Sequence, residues 1–292
     1  MDVLLPRTLA EALEMKGTRP EAVPIAGGTD LMVELNFDTR RPETLLDVSR
    51  LPELLAWRRE DGHVFLGAGV TYARIMAELP GHTALVQASR TVGSPQIRNR
   101  GTVGGNLGTA SPAGDAVPVL AALDADVVLS SAARGERTVP WDRFTVGPKQ
   151  TAILADELIL GARWRTVRGP GSFSKIGTRN AMVISVAGLC LQVDEDGRTI
   201  RVALGSVGPT VLRANGAERF AAQAMTTAGA WDEPGATVGP DAVEGFAERV
   251  SAAAEPVDDV RGTAAYRRHA CRVLARRAFE WALRDRLNAG VG

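Results

Sequence analysis

Apolar positions change their period several times along the 292 residues, and each change marks an element. "TLAEALEMK", residues 8 to 16, reads as a short helix, with Thr8 placed to cap it and Gly17 to end it. In "EAVPIAGGTDLMVELN" a brief apolar strand leads to Gly27-Gly28, then Thr29-Asp30, and a second short helix. "TLLDVSRL" reads as a strand closing a small α/β unit near residue 56. Next, "HVFLGAGV" is a strand ending in Gly69, and Thr71 caps "YARIMAEL" as a helix. "TALVQASRTVG" continues helically into "TVGGNLGTASPAGD", residues 102 to 115, too glycine-rich for a buried strand and read as a wide loop. "ADVVLSSA" and "GERTVPW" form a hairpin closed by Arg134-Gly135, and "DELILGARW" is one more strand. "RGPGS", at 168 to 172, is the best linker in the chain.

Beyond the linker, "GSFSKIGTR", "AMVISVAGLCLQVDE" and "IRVALGSVG" read as strands, with "DGR" at 196 to 198 as a hairpin turn. Residues 216 to 262 mix short helical patterns with Gly and Pro breaks. "TAAYRRHACRVLARRAFEWALRDRL" is a long helix whose Tyr266, Ala270, Val273, Leu274, Ala278 and Trp281 make one stripe. Its arginine-heavy opposite face reads as solvated.

Composition narrows the classes. Hydrophobic residues make up 45% and charged residues 23%, as in soluble globular domains. Lys plus Arg and Asp plus Glu are 34 each, so no net field points to nucleic acid or an anionic membrane. No apolar run reaches the ~18 residues of a membrane span, and the N-terminus does not read as a secretory signal, so a cytoplasmic protein is expected. Two cysteines, Cys190 and Cys271, cannot hold a four-thiolate iron–sulfur cluster. Cys190 reads as a small buried hydrophobe. Cys271, among arginines that could lower its pKa, reads as helix core. The three histidines are scattered, with no spacing for a zinc site.

The two glycine pairs share a logic. Each is followed by a helical pattern, which would leave backbone N–H groups free for a phosphate, without a Cβ in the way. Asn106 and Thr109 would add side-chain donors. Four to six hydrogen bonds to a charged group, each netting about 1.5–3 kcal/mol, suffice for a micromolar complex once ordering costs are deducted. A single Gly-Gly is more often a tight turn. G-x-G-x-x-G is absent, as are the G-K-[ST] of a P-loop and the G-x-S-x-G of a nucleophile elbow. Residue chemistry alone therefore gives a diphosphate ligand held by two loops, or two turns.

In that order, "AGGTDL", "GSPQIRNRGTVGGNLGTASPAGD", "DELIL", "SKIGTRNAMVISVAG" and "VRGTAAYRR" resemble the FAD-binding medium subunit of molybdenum hydroxylases of the xanthine and carbon monoxide dehydrogenase type. The resemblance runs essentially the whole chain. It implies an α+β fold: a two-subdomain FAD-binding domain of vanillyl-alcohol-oxidase (PCMH-like) type, residues 1–170 with subdomains 1–56 and 57–170. An α+β C-terminal domain, residues 171–292, follows with a small antiparallel sheet. It places Ile25, Ala26, Gly27, Gly28, Thr29 and Asp30 around the FAD pyrophosphate. Thr102, Gly104, Gly105 and Asn106 form a second phosphate and ribityl cradle, with Thr109 and Ser111 nearby. Asp115 accepts from FAD hydroxyls, Leu158 packs on the adenine side, and Lys175 lies by the isoalloxazine. Since an ionised Asp30 would repel a diphosphate, its carboxylate is expected to cap the following helix.

The resemblance further implies an electron-relay oxidoreductase subunit of a heterotrimer. A small subunit with 2Fe-2S clusters would deliver electrons, a large subunit would carry molybdopterin, and NAD or another acceptor would receive electrons, as in xanthine dehydrogenase. In "KIGTRNAMVIS" Arg179 keeps one charge, but Asn180 and Met182 are neutral where relatives often carry acids, which leaves the acceptor open. No His or Cys lies in either glycine stretch, so FAD is expected to be non-covalent. The rival readings are a self-contained flavin reductase or oxidase of the same fold, and a scaffold whose glycine stretches are only turns.

Overall fold

The computed structural model describes residues 1–233 and 235–289. In chain order the first elements are β1 (Asp2–Leu4), α1 (Leu9–Thr18), β2 (Val23–Ile25), α2 (Leu31–Asn36) and β3 (Thr44–Asp47). Then come α3 (Pro52–Leu55), β4 (Trp57–Glu60), β5 (His63–Gly67) and α4 (Tyr72–Glu78). Four helices follow: α5 (Thr83–Thr91), α6 (Pro95–Arg100), α7 (Val103–Thr109) and α8 (Ala116–Ala122). The hairpin β6 (Asp126–Ser131) and β7 (Gly135–Pro140) leads through α9 (Trp141–Phe144), β8 (Thr145–Gly147) and β9 (Gln150–Thr151) to β10 (Leu158–Arg165). The remainder is β11 (Gly171–Ile176), β12 (Ala187–Asp194), β13 (Thr199–Gly205), β14 (Leu212–Arg213), α10 (Asn215–Thr227), α11 (Pro240–Ala252) and α12 (Ala264–Ala289).

These elements form two compact units that interleave along the chain. The first comprises Met1–Glu78, Val92–Ser111 and Asp124–Thr166; the second comprises Leu79–Thr91, Pro112–Leu123 and the chain from Val167 on. The helices α5 and α8 thus belong to the second unit although both precede residue 170 in the chain.

The first unit holds a parallel sheet, β1-β3-β2, and an antiparallel sheet, β4-β5-β10-β6-β7. Its core gathers Ala12, Leu46, Leu51, Leu54, Ala68, Val128, Leu158 and Leu160. Thr8 caps α1, accepting from the Glu11 N–H. Gly17 does not stop this helix. Lys16 is buried and its ammonium donates to the Pro20 and Ala22 carbonyls at 2.7 and 2.6 Å, so the helix ends one residue later.

The second unit is built on the antiparallel sheet β11-β12-β13-β14. Every residue of β12 is buried. Leu189, Leu191 and Val193 face a core shared with α10, α11 and α12. On the other face Gly188 and Gly205 stand opposite each other, and a Cβ on Gly205 would lie 2.8 Å from Pro118 of α8. A strand covered on both sides reads as a nearly continuous apolar run, as "AGLCLQV" does with Gln192 its one polar residue. The helix α8 is itself buried at all seven positions, so it requires neighbours on every side.

Two expectations change here. Residues 181–186, expected to start the strand, form a loop in which Met182 has φ 50° and is 55% exposed. On α12 the buried apolar positions are Ala270, Cys271, Leu274, Ala275, Ala278, Phe279 and Ala282, while Tyr266 is exposed; Arg267 and Arg286, expected to be solvated, are buried too, paired with Asp259 and Glu195. The helix packs on both α11 and β12, which widens and rotates the stripe. Burial pushes the Cys271 thiol up to about 12, the opposite of activation by its arginines. No helix among the described residues is long and apolar enough to cross a membrane.

Candidate cofactor-binding site

Strand β2 ends at Ile25 and α2 begins at Leu31, so Ala26 to Asp30 form the first glycine bend. Gly27 is the tight point: a Cβ there would stand 1.9 Å from the backbone oxygen of Arg100. Gly28 supplies φ 73°, a conformation that costs other residues energy. The carbonyls of Gly28 and Asp30 accept from the N–H groups of Met32 and Glu34, each at 3.0 Å. The N–H groups of Gly27, Gly28, Thr29 and Asp30 donate to nothing among the described residues. Acceptors used and donors open leave a run of partial positive charge that suits an anion.

Asp30 differs from expectation. It adopts a helical conformation at the N-cap position, and its side chain caps nothing. Its Oδ2 instead accepts a hydrogen bond from Thr109 Oγ1 at 2.8 Å.

The second glycine stretch is a helix, α7, rather than the expected loop. Thr102 caps it, accepting from the Gly105 N–H at 3.0 Å. The Gly104 N–H donates to the Ala68 carbonyl at 2.8 Å, and the Val103 N–H points to that of Val70 at 3.3 Å. The Asn106 N–H donates to the Thr102 carbonyl. All four amides at the start of α7 are thus consumed, and the expected second set of open donors does not exist. Glycine has a different task here. A Cβ on Gly104 would lie 2.5 Å from the Ala68 Cβ, so this residue is the contact between α7 and the end of β5. Gly105 is exposed, and a Cβ there would meet only Thr102 Oγ1, at 3.2 Å; Gly108, three residues on, would meet only Ile159 Cδ1, at 3.6 Å. Between these two bare positions, the Asn106 Oδ1 is buried with no partner. Such an acceptor calls for a donor from a ligand or water.

The structure therefore brings Ile25 to Asp30 together with Thr102 to Thr109 in one unit, through the Gly27–Arg100 contact and the Asp30–Thr109 hydrogen bond. Ser111 follows α7, after a left-handed Ala110 at φ 46°. Leu158 is 3% exposed and packs into the core of the same unit. Its neighbour Ile159 packs against the same core and also approaches Gly108 of α7.

Asp115 and Lys175 lie in the second unit and meet each other. Lys175 Nζ donates to Asp115 Oδ2 at 2.5 Å, to the Thr91 carbonyl at 2.9 Å and to the Val183 carbonyl at 3.1 Å, which uses all three of its hydrogens. The Thr91 hydroxyl donates to the same carboxylate oxygen at 3.0 Å. Burial raises the Asp115 pKa, opposed by the neighbouring ammonium and the hydroxyl. Thr91 and the Arg100 carbonyl could not be read from sequence, because their partners lie far along the chain; Val183, eight residues from Lys175, sits in a loop that the pattern reads as strand.

An open-amide bend, two bare α-carbons and an orphaned amide oxygen fit a ligand that joins a diphosphate to hydroxyl- and N–H-bearing groups. Residues 1–163 match the family of the FAD binding domain in molybdopterin dehydrogenase, and residues 172–282 match that of the CO dehydrogenase flavoprotein C-terminal domain. The chain belongs to the FAD-binding subunits of the molybdenum hydroxylases. It is 30% identical over 292 residues to the carbon monoxide dehydrogenase medium chain of Hydrogenophaga pseudoflava, covering 95% of this chain and 96% of that one. It is 37% identical over 204 residues to the nicotinate dehydrogenase FAD-subunit of Eubacterium barkeri, covering 66% and 69% of the two chains. In three dimensions it is similar to the carbon monoxide dehydrogenase from Hydrogenophaga pseudoflava that lacks the Mo-pyranopterin moiety, with a TM-score of 0.84, 28% identity and 98% of both chains covered. As a molybdenum-hydroxylase flavoprotein it is an oxidoreductase subunit with an FAD-binding domain and an α+β C-terminal domain.

Proposed function

We propose that this flavoprotein is an electron relay, receiving electrons from a 2Fe-2S partner subunit and passing them to NAD⁺ or another acceptor. The observation that carries the reading is the run of four open amides at Gly27 to Asp30, beside the unpartnered Asn106 Oδ1. The four N–H groups would hold the FAD diphosphate, each hydrogen bond to that charge netting about 1.5–3 kcal/mol. Asn106 would accept from a ligand hydroxyl or ring N–H, and Gly105 and Gly108 would let the ligand approach the α7 backbone. FAD supplies the exchange between one-electron and two-electron carriers; this chain supplies binding and electrostatics.

Two cysteines cannot hold a cluster of four thiolates, so iron–sulfur and molybdenum chemistry would belong to partner chains. Both thiols are buried in the second unit, in keeping with non-covalent FAD.

The test is acid release from the purified full-length chain, followed by absorbance and chromatography of the supernatant. Free FAD, re-bound by the refolded chain, is the expected result. A folded chain that neither releases nor takes up FAD would end the reading. For the relay itself, the chain co-expressed with its neighbouring subunits should show its flavin bleached by the substrate of the complex and recoloured by the acceptor.

A further inference from the structure

We infer that Asp30 and Thr109 form a clasp that positions the open amides, and that neither side chain touches the ligand. The inference rests on the reading of Gly27 to Asp30 as the diphosphate site.

A carboxylate immediately after a glycine bend normally turns back to cap the helix it precedes. Asp30 does not; its backbone is already helical, and its Oδ2 reaches across to Thr109 Oγ1, 79 positions along the chain. The hydroxyl is thereby committed as donor to the carboxylate and is no donor for a phosphate, contrary to its expected role. The two residues sit at strategic ends. Asp30 is the last of the four open amides, and Thr109 is the last residue of α7, one turn beyond Asn106. At its other end the bend is fixed by the contact of Gly27 with the Arg100 carbonyl, just before α7. The run of four residues is thus held at one end against the last residue of α6 and at the other by the last residue of α7. Pinning removes conformational freedom that would otherwise be lost on binding, which is how preorganisation raises affinity. The clasp also answers a charge problem. A negative side chain beside a diphosphate is repulsive, but here one of its oxygens is held toward the hydroxyl of α7.

The experiment uses the full-length chain stripped of flavin, with FAD affinity read from quenching of flavin fluorescence and folding from the melting temperature of the apo chain. Thr109→Val removes the donor at constant shape, and Thr109→Ser restores it. Asp30→Ala removes the acceptor, whereas Asp30→Asn keeps an acceptor oxygen without the charge. The expected result is a loss of about tenfold in FAD affinity for Thr109→Val and Asp30→Ala, with the apo melting temperature unchanged. Thr109→Ser and Asp30→Asn should recover wild-type affinity within about threefold. The double variant Thr109→Val with Asp30→Ala should be no worse than either single one, because both break one hydrogen bond. Wild-type affinity in Thr109→Val, or equal losses in Asp30→Asn and Asp30→Ala, would overturn the clasp. If Thr109→Val fails to fold, the Asp30 pair decides alone, since that side chain is exposed. A wild-type chain with no affinity for FAD is a separate result that sinks the diphosphate reading itself.

Discussion

The two glycine pairs look alike in sequence, and the fold employs them differently. At Gly27-Gly28 the chain turns between a strand and a helix and leaves four donors open. At Gly104-Gly105 the chain is already helical, and the amides are spent on Thr102, Ala68 and Val70. Yet each pair divides its labour in the same way. One glycine, Gly27 or Gly104, presses inward where no Cβ fits; the other, Gly28 or Gly105, serves the bend or the open side. The difference teaches that a glycine pair signals close approach, and that only the surrounding hydrogen bonds reveal whether a ligand or the protein's own backbone does the approaching.

Substitutions can break this comparison, beginning with the most damaging. Gly27→Ala drives a methyl group into a rigid carbonyl, so urea denaturation of the apo chain should show a loss of about 3 kcal/mol. A loss under about 1 kcal/mol would mean that the bend is free to move. Gly28→Ala imposes the left-handed conformation on a residue with a Cβ and should cost about 1–2 kcal/mol by the same assay. Thr102→Val deletes the cap of α7 and should cost about 1 kcal/mol, shifting the melting temperature by a few degrees. Gly105→Ala sharpens the contrast most while disturbing the fold least. Stability should stay level or rise by up to about 1 kcal/mol, since alanine is the better helix former. FAD affinity, measured by fluorescence titration, should fall about tenfold. Unchanged affinity there would show that the ligand avoids the open side of α7.

Much of the fold was legible because its signals are local. Thr8 caps α1, Thr71 Oγ1 accepts from the Arg74 N–H, and Arg134-Gly135 turns the β6–β7 hairpin, all as the pattern predicted. Three features escaped for physical reasons. The α7 helix was hidden by its glycines, whose poor propensity is outweighed by contact with Ala68. Residues 181–186 continue the largely apolar run of β12, so nothing in their pattern separates strand from loop; the exposure of Ala181, Met182 and Ile184 does. Asp30 was assigned to the nearest helix end, because sequence reasoning pairs neighbours and Thr109 is distant. That residues 25–30 and 102–109 come together was legible, while their hydrogen bonds were not.

The interleaving of the two units bears on how the chain is made. During synthesis α8 emerges early, with every side chain apolar and none suited to water. The strands that will shelter it, β12 and β13, lie downstream of the whole β6–β10 segment. A nascent chain must therefore carry an uncovered greasy helix through much of its translation. Two gene fragments divided at the boundary between the family regions would inherit the same exposure for good.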